Sequence, residues 1–280
     1  MRKPSGKLIL LPLIALLMSF NLQAQSYKLK YNLEKGKTYR YSSELSGDFT
    51  QQIMGQELKI ENSTKITSRF LVDSIDKDGN MVLVASIDSG EVISKMPTKD
   101  TSVVSLDKFV NKKVRTCLNP YGKILSKSPS DTTSEGFESL GITQNNLLQF
   151  VRLPEKEVKA GESWTITTDD TLEMMGGKVL NSVNMTYKLA GKAVFQGHNC
   201  LKLDFTGDVK NSGKAQVMGM EVYIEGNGKT SGSTYFDNEK GIVVAVDGLI
   251  NNDMTMATKG EQNMIIPINQ SMKMKQILIN

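Results

Sequence analysis

The sequence has few of the residues from which catalytic and metal-binding sites are usually built. Its 280 residues include one histidine, His198, two cysteines, Cys117 and Cys200, and one tryptophan. A zinc site with several histidine ligands is therefore excluded, and two cysteines cannot complete a cysteine-rich site or a disulfide-built scaffold. The complete phosphate-binding pattern G-x-x-x-x-G-K-[ST] is also absent, so nothing indicates a P-loop. We predict no cofactor and no metal.

Long hydrophobic runs are absent as well. The longest, Leu8–Phe20, has 13 residues, too few to cross about 30 Å of hydrocarbon at roughly 1.5 Å per residue. It follows Arg2, Lys3 and Lys7 and precedes Ala24, which is the arrangement of a secretory signal peptide. We expect cleavage after Ala24 and a periplasmic or secreted protein with no membrane span in the mature chain. A retained membrane anchor is the alternative.

An excess of charge of one sign is missing from the mature chain. Loss of the leader, which carries three basic residues and no acidic one, lowers the formal net charge from +4 to +1. Such a charge gives no electrostatic reason to expect nucleic acid or an anionic membrane as a partner. Cys117 and Cys200 both lie among strand-forming residues. In an exported chain they form either a disulfide or two small buried side chains.

The most regular feature of the sequence is a hairpin pattern in residues 64–89. Alternating apolar residues lead to Asp76–Asn80, where Asp, Gly and Asn suit a tight turn, and an apolar run follows. A calcium loop is the alternative, but Ala85 would occupy the position that requires a bidentate Glu. A second hairpin is predicted around Gln196–Asn199, with Tyr187 on its first arm and Phe205 on its second. Short strands and turns of this kind continue along the chain, so we predict an all-β antiparallel fold.

Two halves of the sequence share a colinear pattern. Leu33–Tyr39 and Val158–Trp164 both run from an apolar residue through a glycine to an aromatic residue. Three further matches follow in the same order: Met54-Gly55 with Met175-Gly176, Gly79 with Gly197, and Asn119–Gly122 with Asp237–Gly241. Large antiparallel sheets hide their edges by curling or closing. We therefore predict two consecutive curved antiparallel sheets, as duplicated partial barrels, with Tyr39 and Trp164 at equivalent corners.

The predicted organisation has four parts: a signal peptide (1–24), a first β half (25–127), a connection (128–154) and a second β half (155–280). The connection contains one short predicted helix, with Thr143 as its N-cap and an apolar face of Leu147, Leu148 and Val151. The first half opens with Tyr27–Leu33, whose alternating pattern predicts a strand.

Four segments carry a resemblance to a known family: KGKTYRY (35–41), QQIMGQEL (51–58), LPEKEVKAGESW (153–164) and YFDNEKGIVVAV (235–246). Over most of its length after the leader, the chain resembles an exported, β-rich domain family of unknown function from the Bacteroidota. The resemblance implies no activity and no site residues. At the level of fold, it is similar to periplasmic half-barrel carriers of lipids and lipoproteins, and fold alone does not assign a ligand.

Six methionines form three pairs at a spacing of two: Met218, Met220, Met254, Met256, Met272 and Met274. In a strand, this spacing places both side chains of a pair on one face, about 6.6 Å apart at the backbone. Core packing is one interpretation. A deformable wall for a hydrophobic ligand is the second, and it makes these residues our candidate ligand-lining set. Capture of Cu(I) by thioethers is the third, weakened by the lack of neighbouring His or Cys.

The remaining candidates have simpler interpretations. His198 lies in a predicted turn with no Ser or Cys nucleophile motif nearby, which favours a solvated turn residue. Asp169 and Asp170 would serve glycosidase chemistry only if two carboxylates met across a cleft, and a solvated turn is the simpler interpretation. The tripeptides that begin at Asp73, Asp131 and Asp170 resemble the O-glycosylation acceptor pattern of exported Bacteroidota proteins.

These observations favour a non-enzymatic exported protein that binds a hydrophobic ligand, such as a lipid, or a partner chain within a curved sheet. A structural or envelope-interaction protein without a small ligand is the first alternative, and it predicts a filled core. A hydrolase whose acidic residues meet only in the folded chain is the second. An apolar cavity on the concave face distinguishes the first hypothesis from the other two.

Overall fold

The computed structural model describes residues 25–53, 55–97, 99–110, 112–129, 150–174, 177–217, 220–258 and 264–279. At positions 53, 127–129, 172–174, 217 and 220 it describes the backbone alone. Most of these residues lie in β-strands, and the helical element among them is one 3₁₀ turn, Asp107–Phe109. No helix in this part of the chain has the length and apolar character of a membrane span.

The strands, in chain order, are β1 (Ser26–Tyr27), β2 (Thr38–Ile53), β3 (Gln56–Ile75), β4 (Met81–Met96), β5 (Lys99–Ser105), β6 (Lys113–Leu118), β7 (Ile124–Pro129), β8 (Val158–Lys159), β9 (Ser163–Met174), β10 (Gly177–Phe195), β11 (His198–Val217), β12 (Met220–Asp237), β13 (Ile242–Thr258) and β14 (Ile265–Leu278). Many of the strands have 16 to 20 residues. At roughly 3.3 Å per residue they are far longer than an average strand.

Twelve of the strands form a single sheet, in the order β7-β6-β4-β3-β2-β14-β13-β12-β11-β10-β9, with β5 also paired to β4. All neighbours in this sheet are antiparallel. The short strands β1 and β8 pair with each other in a second, two-stranded sheet. Most neighbours in the large sheet are consecutive in the chain, so tight hairpins build nearly all of it.

The predicted all-β antiparallel fold is confirmed, but the prediction of two consecutive sheets needs a correction. The last strand, β14, pairs with the first long strand, β2, over Ile268–Leu278 and Tyr41–Gln51. This pairing satisfies the backbone groups of two strands that would otherwise be edges, and it merges the predicted halves into one sheet. The duplication and the domain boundaries stay predictions. Thr143, Leu147 and Leu148 of the predicted helix lie outside the described residues.

The predicted hairpin turns are confirmed. Asp76–Asn80 joins β3 to β4, and Asp76 Oδ1 accepts hydrogen bonds from the amides of Asp78 (2.9 Å) and Asn80 (2.8 Å). The carboxylate therefore serves the turn, as expected of an Asx turn rather than a calcium loop. Gly79 has φ +80°, and Gly197 in the second hairpin has φ +81°, a conformation that glycine adopts without a steric penalty.

Two glycine turns that the sequence paired make the same kind of backbone hydrogen bond. Gly36 donates to the carbonyl of Val72 on β3 (2.8 Å), and Gly161 donates to the carbonyl of Leu189 on β10 (2.7 Å). Each turn is thereby fixed to the neighbouring hairpin. Of the aromatic residues that follow these turns, Tyr39 is buried and Trp164 is half-buried.

The predicted N-terminal strand is mostly not a strand. Only Ser26–Tyr27 pairs, and the residues after it run beneath the ends of the large sheet with Leu29, Tyr31 and Leu33 buried. The amide of Tyr31 donates to the carbonyl of Pro120 (2.8 Å). The alternation in the sequence therefore reflects burial of every second side chain, although these residues form no β-ladder.

The main hydrophobic cluster lies at this end of the sheet, where the turns 76–80, 119–122, 196–197 and 237–241 are found. It draws buried side chains from both predicted halves, including Tyr41, Phe70, Leu203 and Phe236. Within it, Tyr41 Oη donates to the carbonyl oxygen of Val243 (2.7 Å), a residue 202 positions later in the chain. The two predicted halves thus share one core.

The two faces of the large sheet differ in burial. On β13 the even-numbered side chains from Val246 to Met256 are buried or half-buried, and the odd-numbered ones are exposed. The same alternation runs along β14 from Ile265 to Lys275. We call the first side the inner face and the second the outer face. The main hydrophobic cluster covers the inner face near the turns named above, and at the far end of the same face Val179, Ala215, Val222 and Ile268 are also buried.

Candidate functional site

A cavity of about 910 Å³ lies on the inner face, next to the main hydrophobic cluster. Its volume falls within the range of about 300–1,000 Å³ that is usual for ligand pockets. Apolar and aromatic side chains supply much of its wall: Phe150, Met185, Tyr187, Phe205, Val246 and Met274. Polar and charged residues surround them: Lys123, Arg152, Thr167, Thr168, Asp169 and Asp170.

One cross-strand row of inner-face residues forms the aromatic part of the floor. Tyr187 stacks on Trp164 (ring centroids 5.5 Å apart, 18° between planes) and lies 6.2 Å from the ring of Phe205. Gly232 and Gly248 continue the row on β12 and β13. A Cβ atom on either glycine would approach Phe205 Cζ, to 2.7 Å and 3.1 Å respectively. The two glycines therefore make room for the ring.

The next row along the strands contributes an adaptable side chain. Met185 on β10 faces Gly207 on β11, and its sulfur occupies the space that a Cβ at Gly207 would need. Thr230 on β12 lies on the other side of Gly207. Met185 is half-buried and touches the main cluster. A thioether chain in this position can adjust to the shape of an occupant at little cost.

Tyr187 contributes a neutral phenol to the floor. Burial raises the pKa of Tyr187 to about 12, and the nearby positive charge of Arg152 opposes that rise without cancelling it. The hydroxyl is therefore protonated at neutral pH. The floor of the cavity carries no charge from this residue, as an apolar ligand requires.

The rim of the cavity carries two cations from adjoining segments. Arg152 is held through its backbone, since its carbonyl oxygen accepts a hydrogen bond from Trp164 Nε1 (3.0 Å). Lys123 follows the turn after β6, where its amide donates to Asn119 Oδ1 (2.8 Å). The amide of Leu153 donates to the carbonyl of Tyr121 (2.9 Å), which joins the two segments. The rim is thus fixed relative to the floor.

The edge strand β9 also lines the cavity, and here the predicted solvated turn at Asp169 and Asp170 is wrong. The two residues pair with Ser182 and Asn181 of β10 and continue the ladder. Asp169 Oδ1 accepts a hydrogen bond from Ser182 Oγ (2.6 Å). Consecutive strand residues point to opposite faces, so these carboxylates do not converge as a glycosidase pair.

The described methionines of the candidate set share the inner face, but only Met274 lines the cavity. Met272, Met254 and Met256 are half-buried farther along the face. The register places each methionine opposite a glycine or an isoleucine, and Met254 lies roughly 13 Å along the strands from Met272. The pairs therefore do not converge on one Cu(I) ion. Met218 and the side chain of Met220 lie outside the described residues.

The single histidine is not the solvated turn residue that the sequence predicted. His198 begins β11, is half-buried, and has Nδ1 3.2 Å from Oδ2 of the buried Asp237. Burial raises the pKa of the nearby Cys200 thiol to about 11, whereas a nucleophilic cysteine needs a lowered pKa. Cys117 and Cys200 are both free, so the disulfide alternative is not formed. Among the described residues, no group of three or more His, Cys, Asp or Glu could hold a metal ion.

Sequence reasoning missed most of the cavity. It placed Tyr187 and Phe205 on hairpin arms from their alternation, and that alternation also marks them as inner-face residues. The rim residues Lys123, Phe150 and Arg152 lie in turns and connections, where no periodic signal exists. The only local signal for a site is a basic residue two positions after an aromatic one, in Phe150-Val151-Arg152.

The comparisons with known proteins give a match of part of the chain to one family and a distant fold likeness. Residues 133–243 match a family of unknown function (DUF6263). A search of curated proteins finds no match. One solved structure, "Lipid-protein interactions in lipovitellin", is similar at a TM-score of 0.47 and 11% identity, over 89% of this chain and 26% of that chain. A likeness at this level carries no argument about function. The family match agrees with the predicted resemblance to a β-rich family of unknown function, and the export and the Bacteroidota origin stay predictions.

Proposed function

We propose that this chain is a non-enzymatic, exported binding protein that holds a hydrophobic ligand in the cavity on its inner face. The observation that carries the proposal is a cavity of about 910 Å³ with an apolar and aromatic wall. A structural protein without a ligand would be more stable with such a space filled by side chains, because unfilled apolar volume destabilises a fold.

Two features of the cavity support a ligand of hydrophobic character. Met185 and Phe150 are half-buried, so they offer apolar surface that no other part of the described chain covers completely. Phe205 is held in place by the two glycines beside it. A wall that combines a fixed aromatic ring with an adaptable thioether suits binding of a flexible apolar tail.

A neutral hydrophobic probe tests the proposal without reference to the charge of the ligand. N-phenyl-1-naphthylamine becomes fluorescent in apolar surroundings, and we expect saturable binding to the purified, delipidated protein. Thr230→Phe places a ring in the cavity and should weaken binding about tenfold or more, which corresponds to roughly 1.4 kcal/mol.

The matched control is Ser231→Phe, the same size of residue on the exposed outer face of the same strand. We expect it to bind the probe like the parent protein. Absence of saturable binding to the parent protein, or equal binding by both variants, would refute the proposal.

A further inference from the structure

We propose that the ligand carries an anionic head group on its apolar tail, with the head held by Arg152 and Lys123 and the tail lying on the floor of the cavity. The inference rests on the proposed function, because it concerns the same cavity. It adds the chemical class of the ligand, a monoanionic amphiphile of the fatty-acid type, and the direction in which it lies.

Arg152 has an unused hydrogen-bonding group at the rim. Its Nε is buried and has no hydrogen-bond partner among the described residues. A buried donor without an acceptor destabilises the fold. A carboxylate or phosphate oxygen is the acceptor that a guanidinium fits best, since its N–H groups form a planar fork.

The positive charge at this rim is not neutralised by the described part of the chain. No described carboxylate lies within 4.0 Å of the charged nitrogens of Arg152 or Lys123. Because the backbone of Arg152 is bonded to Trp164 and that of Lys123 to Asn119 in its own turn, ordering the two side chains around an anion requires only side-chain motion. Little binding free energy is then lost to reorganisation.

The distribution of charge around the cavity gives the ligand a direction. The carbonyl oxygen of Arg152 is bonded to Trp164 at the start of β9, whereas Asp170 lines the cavity six residues farther along that strand, roughly 20 Å away at about 3.3 Å per residue. An anionic head is attracted to the part of the cavity that contains Arg152 and Lys123. A cationic head would be repelled from that part.

Three amphiphiles with the same twelve-carbon tail separate head-group recognition from tail binding. Dodecanoate, dodecanol and dodecylamine each compete with N-phenyl-1-naphthylamine at about pH 8, where the carboxylate and the ammonium are both charged. We expect dodecanoate to displace the probe at about one tenth of the dodecanol concentration, and dodecylamine to be no better than dodecanol.

The variants assign this preference to residues. Arg152→Gln should bring dodecanoate to the level of dodecanol and leave dodecanol unchanged, and Lys123→Gln should reduce the preference in part. Arg115→Gln is the matched control, because Arg115 is on β6 and pairs with Asp73 (2.9 Å). It should keep the full preference.

Equal displacement by dodecanoate and dodecanol, a preference for dodecylamine, or an unchanged preference in both the Arg152 and Lys123 variants would overturn the inference and leave the proposed function standing. Failure of all three amphiphiles to displace a bound probe would count against the proposed function itself. Since Lys123 is exposed, its variant remains informative if Arg152→Gln does not fold.

Discussion

The ring of Phe205 lies against Gly232, its cross-strand partner on the inner face. A Cβ atom on Gly232 would be 2.7 Å from Phe205 Cζ, and it would also collide with the carbonyl oxygen of Asp247 on β13. Only glycine fits between the aromatic ring and the neighbouring strand. The pair therefore fixes both the position of the ring and the closeness of β12 to β13.

Gly232→Ala should be strongly destabilising. Because the backbone of β13 cannot move aside as a side chain can, we expect a loss of about 2–3 kcal/mol in the free energy of unfolding, measured by urea denaturation. Gly207→Ala is the control on the adjacent strand, where the new Cβ meets the flexible end of Met185. It should cost less than about 1 kcal/mol. Equal losses in the two variants would contradict the geometry.

Tyr41→Phe should remove a side-chain hydrogen bond that links β2 to β13 within the single sheet. Tyr41 Oη donates to the buried carbonyl of Val243 (2.7 Å), and an unsatisfied buried carbonyl costs about 1–3 kcal/mol. Tyr39, on the same face of β2, accepts a longer hydrogen bond from the amide of Glu34 (3.3 Å). Tyr39→Phe should therefore cost under about 1 kcal/mol. A larger effect at Tyr39 than at Tyr41, by chemical denaturation, would show that the contact is unimportant.

Asp88→Asn should lower stability more than loss of an ordinary surface carboxylate. Asp88 lies on β4 beside a bulge, with its side chain 11% exposed, and pairs with Arg40 (3.0 Å) and Arg69 (2.7 Å). We expect a loss of about 1–2 kcal/mol, because one charge-assisted hydrogen bond from Arg40 and one ion pair with Arg69 are weakened. The control is Asp73→Asn, whose partner Arg115 and own side chain are well exposed. It should cost under about 1 kcal/mol. Thermal melts of both variants test whether Asp88→Asn is the more destabilising of the two.

Alkaline pH should destabilise the protein through Tyr187. Burial raises the pKa of Tyr187 to about 12 in the folded chain, against about 10 for an unfolded tyrosine. Below pH 10 both states keep the proton, and above it the unfolded state loses the proton first, so stability falls as pH rises from about 10 to 12. The full difference is roughly 2–3 kcal/mol.

Tyr187→Phe removes this titration and is the matched test. Its unfolding free energy should fall less steeply than that of the parent protein between about pH 10 and 12, although burial also raises the pKa of Tyr31 and Tyr41. Parallel pH profiles for the two proteins would exclude Tyr187 as a contributor.

Local features of the fold could be predicted from the sequence, and long-range ones could not. The turn at Asp76–Asn80 was predictable because Asp and Gly satisfy its backbone within five residues. The pairing of β14 with β2 was not, since Tyr41 and Leu278 carry no local signal that selects one edge over another. The strand predicted around Leu29, Tyr31 and Leu33 was wrong for a related reason. Burial of alternate residues gives the same sequence pattern whether or not the segment pairs with another strand.

The same distinction between local and long-range features applies to the candidate site. Alternation placed Tyr187 and Phe205 on the arms of a hairpin, and the spacing of two placed Met272 and Met274 together on one face. Which part of that face stays uncovered depends on where the turns and the connection at Arg152 pack, and packing between distant segments is not written in any short stretch of sequence.

Photo-crosslinking tests the central claim most directly. A long-chain fatty acid with a diazirine near the end of its tail is bound to the purified protein, irradiated, and the labelled peptides are identified by mass spectrometry. We expect label on the peptides that contain Met185, Phe205 and Met274, lost in Thr230→Phe and kept in Ser231→Phe. Label spread over outer-face residues, or label that Thr230→Phe does not reduce, would contradict a ligand in the inner-face cavity.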